Sequence, residues 1–267
     1  MRPEVAVQSD RITKIQHHLY NNGYAQVQEL AEATGASIVT IRRDLQRLEE
    51  DGIVTRTHGG AKLAEAAGPE LAFQSRVQEH LDAKRAIGEA AYGLLRPHTT
   101  IFLDAGTTVL QLARRLRAQV QPLPLTIFTN GLGVAQDLVN VEGLSVNLLG
   151  GQLRNENLSM VGPYAERLLG EVWFDQLYLG TSAVRGDAQM YTLNSSEASL
   201  NRAMIARTSQ AILLADSSKF DSSAPYAVAP ISAVQTIITD SALDATWKSR
   251  LADLKINTTF VPLGRNS

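Results

Sequence analysis

The chain of 267 residues contains no cysteine. Disulfides, thiolate metal sites and cysteine nucleophiles are excluded together. Nor does any run of ~18 apolar residues occur, the length a helix needs to cross a bilayer, so no membrane partner is expected. The opening residues, MRPEVAVQSDR, lack the apolar stretch of a secretory signal, and a cytoplasmic protein is expected. The five histidines (His17, His18, His58, His80, His98) show no ligand spacing beside acidic partners, which leaves no basis for a metal or other cofactor. No internal repeat is visible. An excess of positive charge is missing too: the formal net charge is −2, and residues 1–62 carry eight Lys/Arg against eight Asp/Glu. Any affinity for nucleic acid must therefore come from where the charges sit, not from their sum.

What is present is an ordinary globular balance, 44% hydrophobic and 19% charged, in a chain long enough for two domains. Near the start, Ile12, Ile15 and Leu19 recur at helical spacing, and Asn21-Asn22-Gly23 reads as a helix terminator. A short helix is predicted over Val27–Ala33, with Val27, Leu30 and Ala31 inward. Thr34-Gly35-Ala36 breaks it, and a third helix is predicted from Ser37, a plausible N-cap, to Glu50, closing at Asp51-Gly52. Ile53 and Val54 begin an extended segment that turns at His58-Gly59-Gly60. Two helices across a glycine-containing turn, followed by a small β element, describe a winged helix-turn-helix over residues 8–62.

Stepping the third helix at ~100° per residue gathers Ile41, Leu45 and Leu48 into a buried stripe. The opposite arc carries Arg42, Gln46, Val39, Arg43, Arg47 and Thr40, none of them acidic, while Asp44 and Glu49 fall nearer the buried border. A basic, amide-bearing face on the helix after the turn is what a major groove requires. Val39, Arg43 and Gln46 stand at its centre, placed for base edges; Thr40, Arg42 and Arg47 on its rims are better placed for phosphates. Arg56 and His58 on the wing are within reach of backbone or minor groove. A solvated polar face is the plain alternative for any such helix taken alone.

Residues 63–76, with Gly68-Pro69, read as a linker. From 77 to 267 the rhythm changes to an amphipathic helix near Ala83–Leu95, then apolar runs alternating with helices. Strands are predicted at Thr100–Leu103, Leu125–Thr129, Leu144–Leu149, Gln176–Leu179, Ala211–Ala215, Thr236–Thr239 and Ile256–Val261. Helices fall near Thr107–Arg117, Leu132–Val139, Tyr164–Leu169, Glu197–Thr208 and Leu243–Leu254. Such alternation predicts a largely parallel α/β sheet with helices on both faces. Polar loops follow several strand ends: Asp104 to Thr108 with Gly106 and Thr107, then Thr129-Asn130-Gly131. Gly150-Gly151 with Arg154 and Ser159 comes next, and then Asp216 to Lys219. In parallel sheets ligands bind at the carboxyl ends of strands, and helix-start N–H groups, hydroxyls and the cations Arg154 and Lys219 suit a phosphate. A plain capped helix start explains the Asp104–Thr108 segment equally well.

The run Gly35–Ala61, above all Thr40-Ile41-Arg42-Arg43-Asp44-Leu45 and Arg56-Thr57-His58-Gly59-Gly60-Ala61, resembles the DNA-binding region of the DeoR family of bacterial regulators. The resemblance implies that Arg42 and Arg43 help bind operator DNA. At Ala36-Ser37-Ile38 the family more often has valine, serine and a polar residue. Residues 73–262 resemble that family's effector domain, which shares the fold of ribose-5-phosphate isomerase. By that likeness Asp104, Gly106, Thr107, Thr108, Asn130, Gly151, Arg154, Glu197 and Lys219 line a pocket for a phosphorylated sugar. The loop Thr181–Met190 departs from the family pattern, and no site residue is taken from it. The expected protein is a homo-oligomeric (dimeric or tetrameric) repressor of carbohydrate metabolism that binds double-stranded operator DNA through Ser37, Val39, Thr40, Arg42, Arg43, Gln46, Arg47, Arg56 and His58. A sugar-phosphate isomerase is the competing reading, with Glu197 or Asp216 as base. It is weakened because the stretch after Lys219 offers only Asp221 as a carboxylate.

Overall fold

The structure is a computed structural model that describes residues 11–16, 18, 19, 22, 24–64, 68–119 and 123–263. Asn21 and Gly23 of the expected helix terminator lie outside the described residues. The chain divides into two compact units, 1–79 and 80–267.

In the first unit residues 11–16, 18 and 19 are helical (α1), followed by β1 (Tyr24–Gln26), α2 (Val27–Thr34), α3 (Ile38–Glu50), β2 (Val54–Thr57) and β3 (Gly60–Leu63). One small core joins them: Ile15, Leu19, Leu30, Ile41, Leu45, Leu48 and Val54 are all essentially buried. The inward stripe predicted for α3 is the observed one. Asp44 is buried as well, and Arg11 of α1 explains how: its Nε and Nη2 donate to the two carboxylate oxygens at 2.6 and 3.2 Å. A buried charge without such a partner would carry a large desolvation cost.

The β element is an antiparallel sheet in the order β1-β3-β2. Thr57 pairs with Gly60, so His58-Gly59 forms the two-residue tip, and Gly59 adopts φ +86°, a left-handed conformation that costs glycine little. β1 was absent from the sequence-based expectation because three residues are too few to display alternation. The reading of 63–76 as a linker needs correction. Leu63 completes β3, and Gly68–Gln78 is a helix (α4). Gly68-Pro69 suggested a break, yet proline is tolerated in a helix's first turn, where its missing N–H has no intrahelical acceptor.

The second unit is built on seven strands, all parallel. They are β4 (Thr99–Leu103), β5 (Leu125–Thr129), β6 (Leu144–Leu148), β9 (Gln176–Leu179), β12 (Ala211–Leu214), β14 (Thr236–Asp240) and β15 (Asn257–Val261). Their order is β15-β14-β12-β9-β4-β5-β6. Each predicted strand appears, with ends displaced by a residue at most. Phe102, Leu177, Leu179, Leu213 and Ile237 on one face pack with α8 (Pro163–Gly170), α9 (Ser195–Ala206) and α10 (Ala245–Asp253). Strand residues of opposite parity, Ile101, Leu103, Tyr178, Ile212 and Ile238, are equally buried. On that side α5 (Leu81–Tyr92) crosses β12, β14 and β15 and packs on α6 (Val109–Arg117), which packs on α7 (Leu132–Leu138). Coverage of both faces is why these strands appear in the sequence as unbroken apolar runs.

Two small antiparallel sheets were not foreseen: β7 (Gln152–Arg154) with β8 (Ser159–Val161), and β10 (Ala183–Val184), β11 (Gln189–Thr192) and β13 (Tyr226–Pro230) in that order. The Thr181–Met190 segment is thereby the hairpin that opens the second of these. No helix of the described residues is long and apolar enough to cross a membrane.

Candidate functional site

On α3 the exposed arc is the one the sequence implied: Val39, Arg42, Arg43, Gln46 and Arg47 are exposed and Thr40 is half-buried. Among the described residues Arg42, Arg43 and Arg47 have no carboxylate within ion-pair distance, so three guanidinium groups are free to meet an anion. Gln46 Nε2 donates to Glu50 Oε1 at 3.2 Å, an exposed contact that is easily exchanged. Ser37 has a local duty: its Oγ accepts from Thr40 N at 3.2 Å and lies 2.9 Å from Thr40 Oγ1, capping the helix. Ser37→Ala is expected to lower the melting free energy of the N-terminal unit by about 1 kcal/mol. Ser37→Asp should restore the stability while weakening duplex binding, because the carboxylate caps the helix but faces phosphates. Denaturant titration and duplex titration of the same proteins separate the two effects.

On the wing, Arg56 is held beside α3. Its N–H donates to Glu49 Oε1 at 3.0 Å and its Nη1 lies 3.7 Å from Glu49 Oε2. His58 stands exposed at the tip. The tip is itself anchored, since Val27 N donates to Gly59 O at 2.9 Å. Wing, α2 and α3 are thus linked by direct contacts.

In the second unit the polar loops gather where the sheet changes direction. β5 and β6 extend from β4 one way, and β9, β12, β14 and β15 the other, so the crevice between the carboxyl ends of β4 and β9 is the topological switch point. Asp104 follows the end of β4 there. Its Oδ2 accepts from Gly180 N, just past β9, at 3.0 Å, and its Oδ1 from Ala105 N at 2.7 Å. The two loops lie close enough that a Cβ on Gly106 would stand 3.4 Å from Gly180 Cα. Asn130 joins them because Gly131 lets its loop press on β4's: a Cβ there would come 2.9 Å from Ala105 Cα. Asn130 Oδ1 is buried without a hydrogen-bond partner, a costly arrangement that a hydroxyl donor would relieve. Glu197, in the first turn of α9, accepts from Thr192 Oγ1 at 2.6 Å and from Asn157 Nδ2, while Ser159 Oγ donates to Asn157 Oδ1 at 2.6 Å.

Burial pushes the Asp104 carboxyl up to about 6, with the Glu197 charge adding to the effect; the N–H groups of Gly180 and Ala105 and the Asn130 side chain oppose it. A carboxyl raised above its unfolded value holds its proton more tightly in the native state, so its contribution is full below about 3.8 and lost as pH climbs through about 6. Asp104→Asn, which carries no titrating proton, should therefore gain stability relative to the parent between pH 4 and 7 and show no further relative change above that. Paired thermal melts across this range test it.

Arg154 differs from the expectation of a free phosphate ligand. Its Nη1 lies 2.8 Å from Glu197 Oε2 and its Nη2 3.5 Å from Glu156 Oε2, so its charge is largely answered within the protein. Lys219 is the cation without such compensation: among the described residues it makes no ion pair. It ends the 3-10 turn Ser217–Lys219 that follows β12, a strand that lies two places, about 10 Å at the usual spacing, from β4. Thr107 and Thr108 precede α6, and the backbone N–H groups of Gly106, Thr107 and Thr108 have no acceptor among the described residues. Gly151 packs against β8, a Cβ there falling 2.6 Å from Val161 O. Sequence reasoning missed Asn157 and Thr192, and counted Leu179-Gly180 toward the family likeness without placing Gly180 at the site. Thr192 is placed by the β10–β11 hairpin, for which the sequence carried no periodic signal, while Asn157 was readable only as part of the polar stretch Asn155-Glu156-Asn157.

A reading helix with free guanidinium groups, set in a winged helix-turn-helix and followed by a parallel α/β unit with a polar switch-point crevice, defines a DNA-binding transcriptional regulator with a sensor domain. The DeoR-like helix-turn-helix domain matches residues 11–67, and the DeoR C terminal sensor domain matches residues 79–241. The chain belongs to the DeoR family. It is similar to the HTH-type transcriptional repressor CsqR of Escherichia coli (strain K12), 34% identical with 88% of each chain covered. It is also similar to the HTH-type transcriptional regulator GlpR of Haloferax volcanii, 36% identical over 82% of this chain and 84% of that one. The transcriptional repressor AccR of Agrobacterium fabrum is 34% identical over 87% of this chain and 89% of its own. Among solved structures, ribose 5-phosphate isomerase A from Methanocaldococcus jannaschii aligns at 15% identity and a TM-score of 0.38, over 53% of this chain and 55% of that one. The regulator relatives and the DNA-binding domain make this chain a regulator and not an enzyme.

Proposed function

We propose that this regulator is a cytoplasmic repressor acting as a homo-oligomer, whose sensor unit takes a phosphorylated sugar or related metabolite at the β4/β9 crevice and thereby releases its operator. The observation that carries the reading is the convergence of Asp104, Asn130 and the Arg154–Glu197 pair at the switch point, with an unanswered Asn130 oxygen among them. Carboxylates and amides of this kind take sugar hydroxyls, while Lys219 and the N–H groups before α6 supply the positive potential a phosphate needs. Repressor action follows the similarity to relatives named as repressors. Arg43 and Gln46 with Val39 are assigned to base edges, Arg42, Arg47 and Thr40 to phosphates, and Arg56 and His58 to the flanking backbone. An oligomer sets two reading heads on two half-sites, and the metabolite shifts their relative placement.

Thermal-shift screening of the full chain against sugar phosphates tests this. A ligand held only by the native state at a hundred times its Kd raises stability by about 2.7 kcal/mol. A stabilising compound that also lowers duplex affinity supports the reading. If no phosphorylated sugar stabilises the protein, or the unphosphorylated sugars do so equally, the effector class is wrong.

A further inference from the structure

We infer that Val39, with Ile38 beside it, reads the C5-methyl group of a thymine in the operator, next to the base taken by Arg43. The inference rests on the proposed assignment of the α3 arc to the major groove and adds the chemistry of one base position. Val39 is 76% exposed and Ile38 41%, although the core below them is already complete with Ile41, Leu45 and Leu48. Among the described residues neither of these two side chains belongs to that core. They are the first two residues of α3, and the N-terminal residues of a reading helix are those that reach base edges. Around the helix, Val39 lies at the centre of the arc among Gln46, Glu50 and Arg43, and Ile38 beside Glu49 and Arg42; the two glutamates stand at the opposite, C-terminal end of α3.

The surroundings select the partner. Arg42 and Arg43, with no ion pair among the described residues, flank the apolar pair, and the N-terminal end of the helix adds positive potential. A covering surface must therefore be strongly anionic and still present a small apolar group. An apolar protein groove fails the first requirement. A duplex major groove meets both, because phosphates line it and thymine alone among the four bases projects a methyl there. Valine carries no hydrogen-bonding group, so it contributes nothing to reading guanine, cytosine or adenine.

The test uses the full-length protein and a duplex selected by it from a randomised pool. Each thymine of the selected half-site is replaced singly by deoxyuridine, which removes the methyl and leaves pairing unchanged. One position is expected to lose about fourfold in affinity, the worth of one buried methyl. Val39→Ala, an exposed change to a better helix former, should bind the thymine and deoxyuridine duplexes alike. If no thymine is sensitive, or if the sensitivity survives in Val39→Ala, the methyl contact is overturned while duplex selection still supports groove reading by α3. If no duplex is enriched at all, the assignment of the arc to the groove falls and this inference falls with it.

Discussion

Arg43→Ala is expected to weaken binding to a selected operator by about 5- to 150-fold while random duplex of equal length loses only a few-fold. The asymmetry follows from position. Arg43 projects from the middle of the exposed arc of α3, with no carboxylate to hold it among the described residues, and in the proposed groove placement its guanidinium would donate two hydrogen bonds to guanine O6 and N7. Such a pair discriminates by about 1–3 kcal/mol, and each 1.4 kcal/mol is tenfold. Arg42, on the rim, is the internal control. Arg42→Ala should lower affinity for operator and random duplex by one common factor and reduce the salt slope by about one. Both variants lie on an exposed helical face, so melting temperatures should hardly move. Equal losses on both duplexes for Arg43→Ala would return it to the phosphate-binding class.

Lys219→Ala carries the second large effect. A hydrogen bond to a charged group is worth about 1.5–3 kcal/mol, so affinity for the phosphorylated effector should fall by about 10- to 150-fold. At a ligand concentration that stabilises the parent by about 2.7 kcal/mol, a hundredfold loss leaves about 0.4 kcal/mol. Operator binding without ligand should be unchanged, because Lys219 lies in the second unit. The matching unphosphorylated sugar, if it binds, should be indifferent to the substitution. An equal loss for both compounds would place Lys219 away from the phosphate, and the uncompensated charge would need another explanation.

The seven parallel strands were legible in the sequence because both of their faces are covered, which leaves nothing for polar residues to do between Ile101 and Leu103 or across Ile212–Leu214. The arc of α3 was legible for the same kind of reason: helical periodicity is local, and a stripe of Ile41, Leu45 and Leu48 fixes which residues face outward. What stayed hidden depends on partners distant in the chain. Asp44 looked like a border acid until Arg11 was seen to reach it. Arg154 looked like a cation for phosphate because nothing local reveals that Glu197 will be brought to 2.8 Å. The contact between Asp104 and Gly180 that joins the two loops exists only once β9 has been laid beside β4. The short strands β10 and β11 escaped notice because their partner β13 arrives after a whole helix and a sheet strand.

The tie from Val27 N–H to the Gly59 carbonyl has a bearing on regulation. With the hairpin tip fastened to the start of α2 and the hairpin itself sewn to β1, the DNA-binding domain behaves as a solid stamp that a metabolite held in the other unit has little means of reshaping. Its imprint, the preferred bases within one half-site, should then be identical in the free and liganded protein. In the proposed oligomer, what a metabolite alters is the interval between two stamps, so inserting or deleting base pairs between half-sites is the change through which induction would be mimicked or cancelled.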